Sequence, residues 1–299
     1  MPTFELTFES ANYATSNKLI TALVITPPEM TPETGAMLFT HGWGCNRYQY
    51  RELMEATCAR DNLVGISVEF RQSGYDFSPS GYGWMIPYDL SFMQVVDVLN
   101  GMRSILEILP ALNRRRLYHY GGSQGGHIAL LSAIYAPRTW AWVYAASPMT
   151  HLSPNHVPSS GRCLAPHEAA VRDVAGLAGY IGCRVILEHG TADTTVDCDT
   201  HTRALQTRLE ELGKPVEAHY YEGGGHDLEP VTTRLDSFEL HAAPWLHALR
   251  PEEGPDDFAA GSRIELDCAG RRLTIDWSKP VSDATILTWD DTAKEPNHA

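Results

Sequence analysis

The sequence predicts an α/β fold in which a mostly parallel sheet is covered by helices on both faces. Short apolar runs alternate with longer helix-patterned segments, residues 117–134 pass from an apolar run through a glycine-rich turn into a helix, and 43% hydrophobic content over 299 residues is ample for one large core. Strands are expected at about 4–9, 19–25, 36–40, 63–70, 116–120, 140–146, 184–189 and 216–221. Helices are expected near 48–60, 88–108, 124–135, 167–180, 199–212 and 233–248. No helix separates the first strands, which predicts an antiparallel edge.

Residues 119–126 read His-Tyr-Gly-Gly-Ser-Gln-Gly-Gly. A serine between a strand and a helix, flanked by glycines in Gly-x-Ser-x-Gly, fits a turn so tight that its neighbours must lack side chains. That makes Ser123 a candidate nucleophile. A phosphate cradle is the other reading of a glycine-rich turn, but a dinucleotide fingerprint needs glycine at 123, and no Gly-Lys-Ser/Thr follows. A serine hydroxyl is a weak nucleophile and needs a base, which in turn needs an acid to orient it. Val185–Leu187 leads through Glu188-His189-Gly190 to Asp193, and Ala218–Tyr221 breaks on Gly223-Gly224-Gly225 before His226. The order Ser123, Asp193, His226 is therefore available at strand ends. Asp193 also reads as a turn residue or helix cap, and Asp197 and Asp199 compete with it, but those two suit the positive end of the helix that follows. His226 is one of 13 histidines, and it is singled out only by the company of the other two.

Ala36–Thr40 runs into His41-Gly42-Trp43-Gly44. A short strand ending on His-Gly-x-Gly is suited to present a backbone donor beside the serine, so the N–H groups of Trp43 and Gln124 are the expected oxyanion hole. The alternative is a turn that only needs its glycines.

With these four segments in order, the chain resembles an α/β-hydrolase from about Leu19 to Leu249. Gly-Gly-Ser-Gln-Gly-Gly is similar to the acetyl xylan esterase/cephalosporin deacetylase family and to the catalytic domain of prolyl-oligopeptidase-type peptidases. Glu69-Phe70-Arg71-Gln72-Ser73-Gly74 resembles the Asp-Tyr-Arg-Gly-type segment of the peptidase group, departing from it at Glu-Phe and Gln-Ser. Such peptidases normally carry a β-propeller ahead of the catalytic domain; with about 35 residues before Ala36, none is expected here. The resemblance implies an acyl-enzyme on Ser123 and no metal or organic cofactor. His167-Glu168 lacks the second histidine of a His-Glu-x-x-His site.

A net charge of −14 argues against nucleic acid and anionic membrane surfaces as partners. The start, Met1–Leu6, has neither a basic nor a sustained apolar stretch, and six cysteines without Cys-x-x-Cys spacing suit reduced thiols, so a cytoplasmic protein is expected. Residues 1–250 read as the catalytic domain, with a small lid region at 147–180. Residues 251–299 read as an acidic Pro/Gly linker and a β extension, whose runs Ile264–Cys268 and Leu273–Trp277 alternate as a hairpin. That extension is too small to stand alone and packs either on its own body or on a second copy.

Residues 74–88 are too aromatic for an ordinary solvated loop and read as one wall of a pocket, or as cover for the core. Tyr75, Phe77, Tyr82 and Trp84, with His41, are the expected substrate-binding side chains. The first functional expectation is a carboxylesterase acting on a small-molecule ester. A peptidase or amidase using the same triad is the alternative, and a non-catalytic binding protein on the same scaffold is the third.

Overall fold

The computed structural model describes residues 1–11, 19–75 and 82–291. Eight strands form one sheet: β1 (Thr3–Glu9), β2 (Leu19–Ile25), β3 (Gly35–Thr40), β4 (Leu63–Glu69), β5 (Leu117–Gly122), β6 (Trp142–Ala146), β7 (Arg184–Gly190) and β8 (Val216–Tyr221). Their spatial order is β1-β2-β4-β3-β5-β6-β7-β8. β1 and β2 pair antiparallel with each other, β2 pairs antiparallel with β4, and every pair from β4 to β8 is parallel. The inner parallel strands β3, β5 and β6 are buried along their whole length because both faces are covered, whereas the edge strand β8 is half-buried and carries Glu217 and His219.

The covering helices are α1 (Arg51–Asp61), α2 (Phe92–Ile108), α3 (Gln124–Tyr135), the short α4 (Pro166–Ala170) and α5 (Val174–Leu177), α6 (Ala204–Glu211) and α7 (Arg234–His241). α2 and α3 lie almost entirely inside the fold, so they are apolar around much of their girth. One face of the sheet packs on α2 and α3 through Ile66, Val68, Leu99, Ile128 and Leu131. The other packs on α1 and α7 through Phe39, Met54, Tyr120 and Phe238.

Three expected helices differ from the structure. The single helix at 167–180 is instead α4, α5 and a 3-10 turn, because Arg172 turns inward to the carbonyls of Leu90 and Asp89 and Asp173 caps a new start by accepting from Gly176 N. The helix at 199–212 opens with a π-helical turn over Asp199–Arg203, and that at 233–248 breaks at His241 ahead of Pro244. Past Arg250 the segment is no free linker. Asp256 caps α8 (Asp257–Ala260), Arg114 pairs with Asp256, and Arg138 pairs with the fully buried Asp257. Beyond α8 the hairpin β9 (Arg263–Cys268) and β10 (Arg271–Asp276) gains a third strand, β11 (Leu287–Asp291), to make a separate antiparallel sheet. Its inner residues Leu266, Leu273, Ile275 and Trp277 join the main core, and Trp277 Nε1 donates to Tyr135 O at 2.8 Å.

Candidate active site

Because β3, β5, β7 and β8 run parallel, their C-terminal ends open onto one edge of the sheet, where open α/β sheets bind ligands. β5 delivers Ser123 at φ 57° and ψ −121°, a conformation that L-residues rarely adopt and that turns the chain straight into α3. Its N–H still bonds Ala146 O at 2.8 Å, so the sheet ladder runs up to the serine itself. A Cβ at Gly125 would collide with the carbonyl of Thr40, which explains the glycine two residues on.

β7 delivers the acid. The Asp193 carboxylate is wholly enclosed: Oδ1 accepts from Thr195 N at 2.7 Å and Val196 N at 3.0 Å, and Oδ2 accepts from His189 Nε2 at 3.0 Å and His226 Nδ1 at 2.7 Å. Burial pushes the Asp193 carboxyl up, but the hydrogen bonds from His189, His226 and Val196 outweigh it and hold the group well below the usual carboxylate range. His189 Nε2 also faces Val196 O at 3.0 Å, which can only accept, so that nitrogen carries the proton, and Nδ1 accepts from Thr202 Oγ1 at 2.6 Å. The tautomer of His189 is thereby fixed as a donor to the acid.

β8 delivers His226 on a loop tied to the acid turn by Thr191 N to Tyr221 O and Ala192 N to Gly224 O, both 2.9 Å. His226 donates Nδ1–H to Asp193, which leaves Nε2 as the basic nitrogen. Arg234, the first residue of α7, connects this loop to the serine turn. Its Nη2 donates to His226 O at 2.8 Å and pairs with Asp227 at 3.1 Å, while the guanidinium fills the space that a side chain at Gly122 would occupy, beside Tyr50. The loop carrying the histidine is thus clamped against the residue preceding Ser123.

The fourth strand end, β3, runs into Gly42, whose N–H is held by Gln49 Oε1 at 2.7 Å. The N–H groups of Trp43 and Gln124 have no acceptor among the described residues, and Gln124 opens α3, where first-turn N–H groups point outward. The Gln124 side chain is fixed separately: Tyr88 OH donates to Oε1 and Nε2 donates to Gln94 Oε1, both at 2.8 Å.

The aromatic wall is described in part. Phe77 lies outside the described residues; Tyr75, Tyr82 and Trp84 are all exposed, and Trp84 meets the Trp43 ring edge-on at 6.4 Å. Trp43 further stacks on Tyr88 at 4.5 Å and on His156 of the lid region at 5.8 Å, and Tyr88 N bonds Ser159 O. Loop 82–88 and the lid segment 156–161 therefore form one aromatic rim around Trp43. His41, expected to touch substrate, is instead enclosed. Its ring stacks on Phe70 at 4.0 Å, Nδ1 donates to Gly42 O at 2.8 Å, and burial drops the imidazole to about 4, so it is a neutral prop under the loop. From the sequence, His189, Arg234 and His156 carry no role of their own, and Tyr88 enters only as the last residue of the expected wall at 74–88. The signals were faint: a polar residue ending an apolar strand for His189, and a cation at the positive end of a helix for Arg234.

Strand order, serine turn and the acid–histidine pair define an α/β-hydrolase. A family model described as the prolyl oligopeptidase family, Peptidase_S9, matches residues 85–249, more than half of the chain, and the chain belongs to that family. No curated protein matches it by sequence. Among solved structures it is similar to an acylaminoacyl peptidase of Pyrococcus horikoshii (TM-score 0.67, 17% identity, covering 85% of this chain and 43% of that one). It is also similar to a puromycin-hydrolyzing peptidase of Mycobacterium tuberculosis (0.62, 18%, 84% and 40%) and to dipeptidyl peptidase 4 of Porphyromonas gingivalis (0.62, 17%, 82% and 35%). The chain spans less than half the length of these structures, and at such identity the likeness is one of fold. No helix among the described residues is long and apolar enough to cross a membrane.

Proposed function

We propose that this chain is a serine hydrolase that cleaves amide bonds of small peptide-type substrates by acyl transfer to Ser123. The observation that carries the reading is the relay from the enclosed Asp193 carboxylate to His226 Nδ1 at 2.7 Å, on a loop clamped beside the strained Ser123. In this mechanism Ser123 Oγ attacks the carbonyl carbon while His226 Nε2 takes its proton. The tetrahedral oxyanion is held by the N–H groups of Trp43 and Gln124, each donor of this kind stabilising the transition state by about 3–4 kcal/mol. His226 then passes its proton to the leaving amine, and water repeats the cycle on the acyl-enzyme. Asp193 stays ionised and holds the imidazole in its working tautomer.

From motifs alone ester hydrolysis ranks ahead of amide cleavage; the family match supports the opposite order. The aromatic rim of Trp43, Trp84 and His156, backed by the buried Tyr88, suits an apolar or aromatic side chain next to the scissile carbonyl. Matched aminoacyl p-nitroanilides and p-nitrophenyl esters provide the test. An amidase turns over the anilides with kcat/KM that rises for apolar aminoacyl groups. Ester turnover with no detectable anilide cleavage would restore the carboxylesterase reading.

A further inference from the structure

Away from the cleft, three side chains that carry metal-ligating atoms stand together. Alternate residues of a strand share a face, so Glu217, His219 and Tyr221 line one side of the edge strand β8, and His241, the last residue of α7, lies against them. One ligand atom from each of Glu217, His219 and His241 lies within 4.8 Å of the other two, with all three residues half-buried. The two imidazole rings stack with centroids 3.4 Å apart and planes at 12°, and His219 Nε2 is 2.8 Å from Glu217 Oε1. Arg184 stands 3.9 Å from Glu217 Oε2, leaving Oε1 as the oxygen that faces the imidazoles.

Hydrogen-bond directions assign the proton on His241. Ser237 Oγ donates to the buried Glu188 carboxylate, so at 2.6 Å it accepts from Tyr221 OH. Tyr221 oxygen, having given its proton to Ser237, accepts from His241 Nε2 at 3.0 Å. The His241 Nδ1 lone pair is then the one free to ligate. Tyr144 OH, 2.6 Å from Glu188 Oε2, completes the anchor. A histidine whose second N–H leads through hydroxyls to a buried carboxylate has the outer support that oriented metal ligands carry.

We propose that Glu217, His219 and His241 form a Zn2+ site with its fourth position open to water. Two imidazoles and a carboxylate are a donor set zinc accepts, whereas Mg2+ prefers an all-oxygen shell. Around tetrahedral zinc the ligand atoms sit about 3.3 Å apart and two imidazole centroids about 5 Å apart, so the rings, now stacked at 3.4 Å, must part and turn their edges toward the ion for the site to close. The ion would tie β8 to the end of α7, the helix whose first residue is Arg234. It supplies no reacting group, and the proposal stands independently of the bond that is cleaved.

Calorimetric titration of the chelator-stripped full chain with ZnCl2, with MgCl2 as control, tests this. One Zn2+ per chain is expected, with a rise in Tm, and no saturable Mg2+ binding at the same concentrations. His219→Ala and His241→Ala should each weaken zinc by about tenfold or more and abolish the Tm rise, with kcat on an anilide substrate unchanged for His219→Ala. Should His241→Ala fail to fold, Glu217→Gln and His219→Gln give the same reading. A wild-type chain that binds no stoichiometric zinc, or histidine variants that bind it as tightly as wild type, would overturn the site.

Discussion

Asp193 and Trp84 meet the same sheet edge under opposite constraints. The Asp193 carboxylate is fully enclosed and takes donors from two backbone N–H groups and two imidazoles. Trp84 is 47% exposed and is held by ring contact with Trp43 and by close approach to Gly44. A group fixed by many short polar contacts has one geometry, and losing it changes chemistry. A group fixed by partial apolar contact can shift, and losing it changes which ligand fits. The floor of the site therefore sets what reaction occurs, and the rim sets on what.

The sharpest break of this contrast is Asp193→Asn, which keeps the shape and presents an amide where His226 needs an acceptor. A fall in kcat of about 10⁴ is expected, while Asp197→Asn, on an exposed turn residue, should leave kcat within about twofold. Steady-state kinetics of the two variants decide whether Asp193 is the acid; equal losses would dissolve the distinction between floor and surface.

Arg234→Met comes next. It removes the donor to His226 O and empties the buried cation site beside Gly122. An unmatched buried acceptor costs about 1–3 kcal/mol, so a Tm lowered by several degrees and a kcat reduced more than KM is raised are expected. A variant with lowered Tm but wild-type kcat would show that the clamp stabilises the fold without positioning the base.

Trp84→Ala probes the rim. Loss of about 1–3 kcal/mol in kcat/KM is expected for substrates with large apolar groups, little for small ones, and a near-constant Tm because the ring is half in solvent. A size-independent loss together with a lowered Tm would mean that this loop covers the core and is no part of the cleft.

The smallest effect lies in the lid. The Arg162 guanidinium beside Glu168, opposed by partial burial and helped by Ala165 N–H, lowers the Glu168 carboxyl to about 2. A carboxylate depressed in the folded chain stabilises above its unfolded value near 4.3 and loses that contribution as pH falls toward 2. The pair is partly in solvent, so the contribution is at most about 1 kcal/mol. Between pH 4.5 and 2, limited proteolysis of the lid should speed up more in wild type than in Glu168→Gln; identical pH profiles would remove the ion pair from the account.

The same contrast explains what the amino-acid order makes legible. All eight strands of the main sheet stand within a few residues of their expected positions: the inner strands because a strand buried on both faces must be an apolar run, the edge strands β1 and β8 because apolar and polar residues alternate or mix between turn signals. Ser123, Asp193 and His226 are visible for the same reason, each following the end of such a strand. Trp43 against His156 is invisible beforehand, since the partners are over a hundred residues apart and neither shows a local pattern. The breaks between α4 and α5 and the third strand β11 escape for a related cause: Arg172 is drawn inward by carbonyls of a distant loop, and Trp289 of β11 finds its place by pairing across from Leu273. His41 shows the opposite failure, a residue placed correctly in the chain whose side chain turns inward and stacks on Phe70.

The central claim, that Ser123 is the nucleophile activated by the Asp193–His226 pair, is tested most directly by intact-mass and peptide mapping after exposure to a fluorophosphonate probe. One adduct per chain on Ser123 is expected, none in Ser123→Ala, and strongly slowed labelling in Asp193→Asn and His226→Ala. Labelling at another residue, or Ser123→Ala that still turns over substrate at the wild-type rate, would contradict the account.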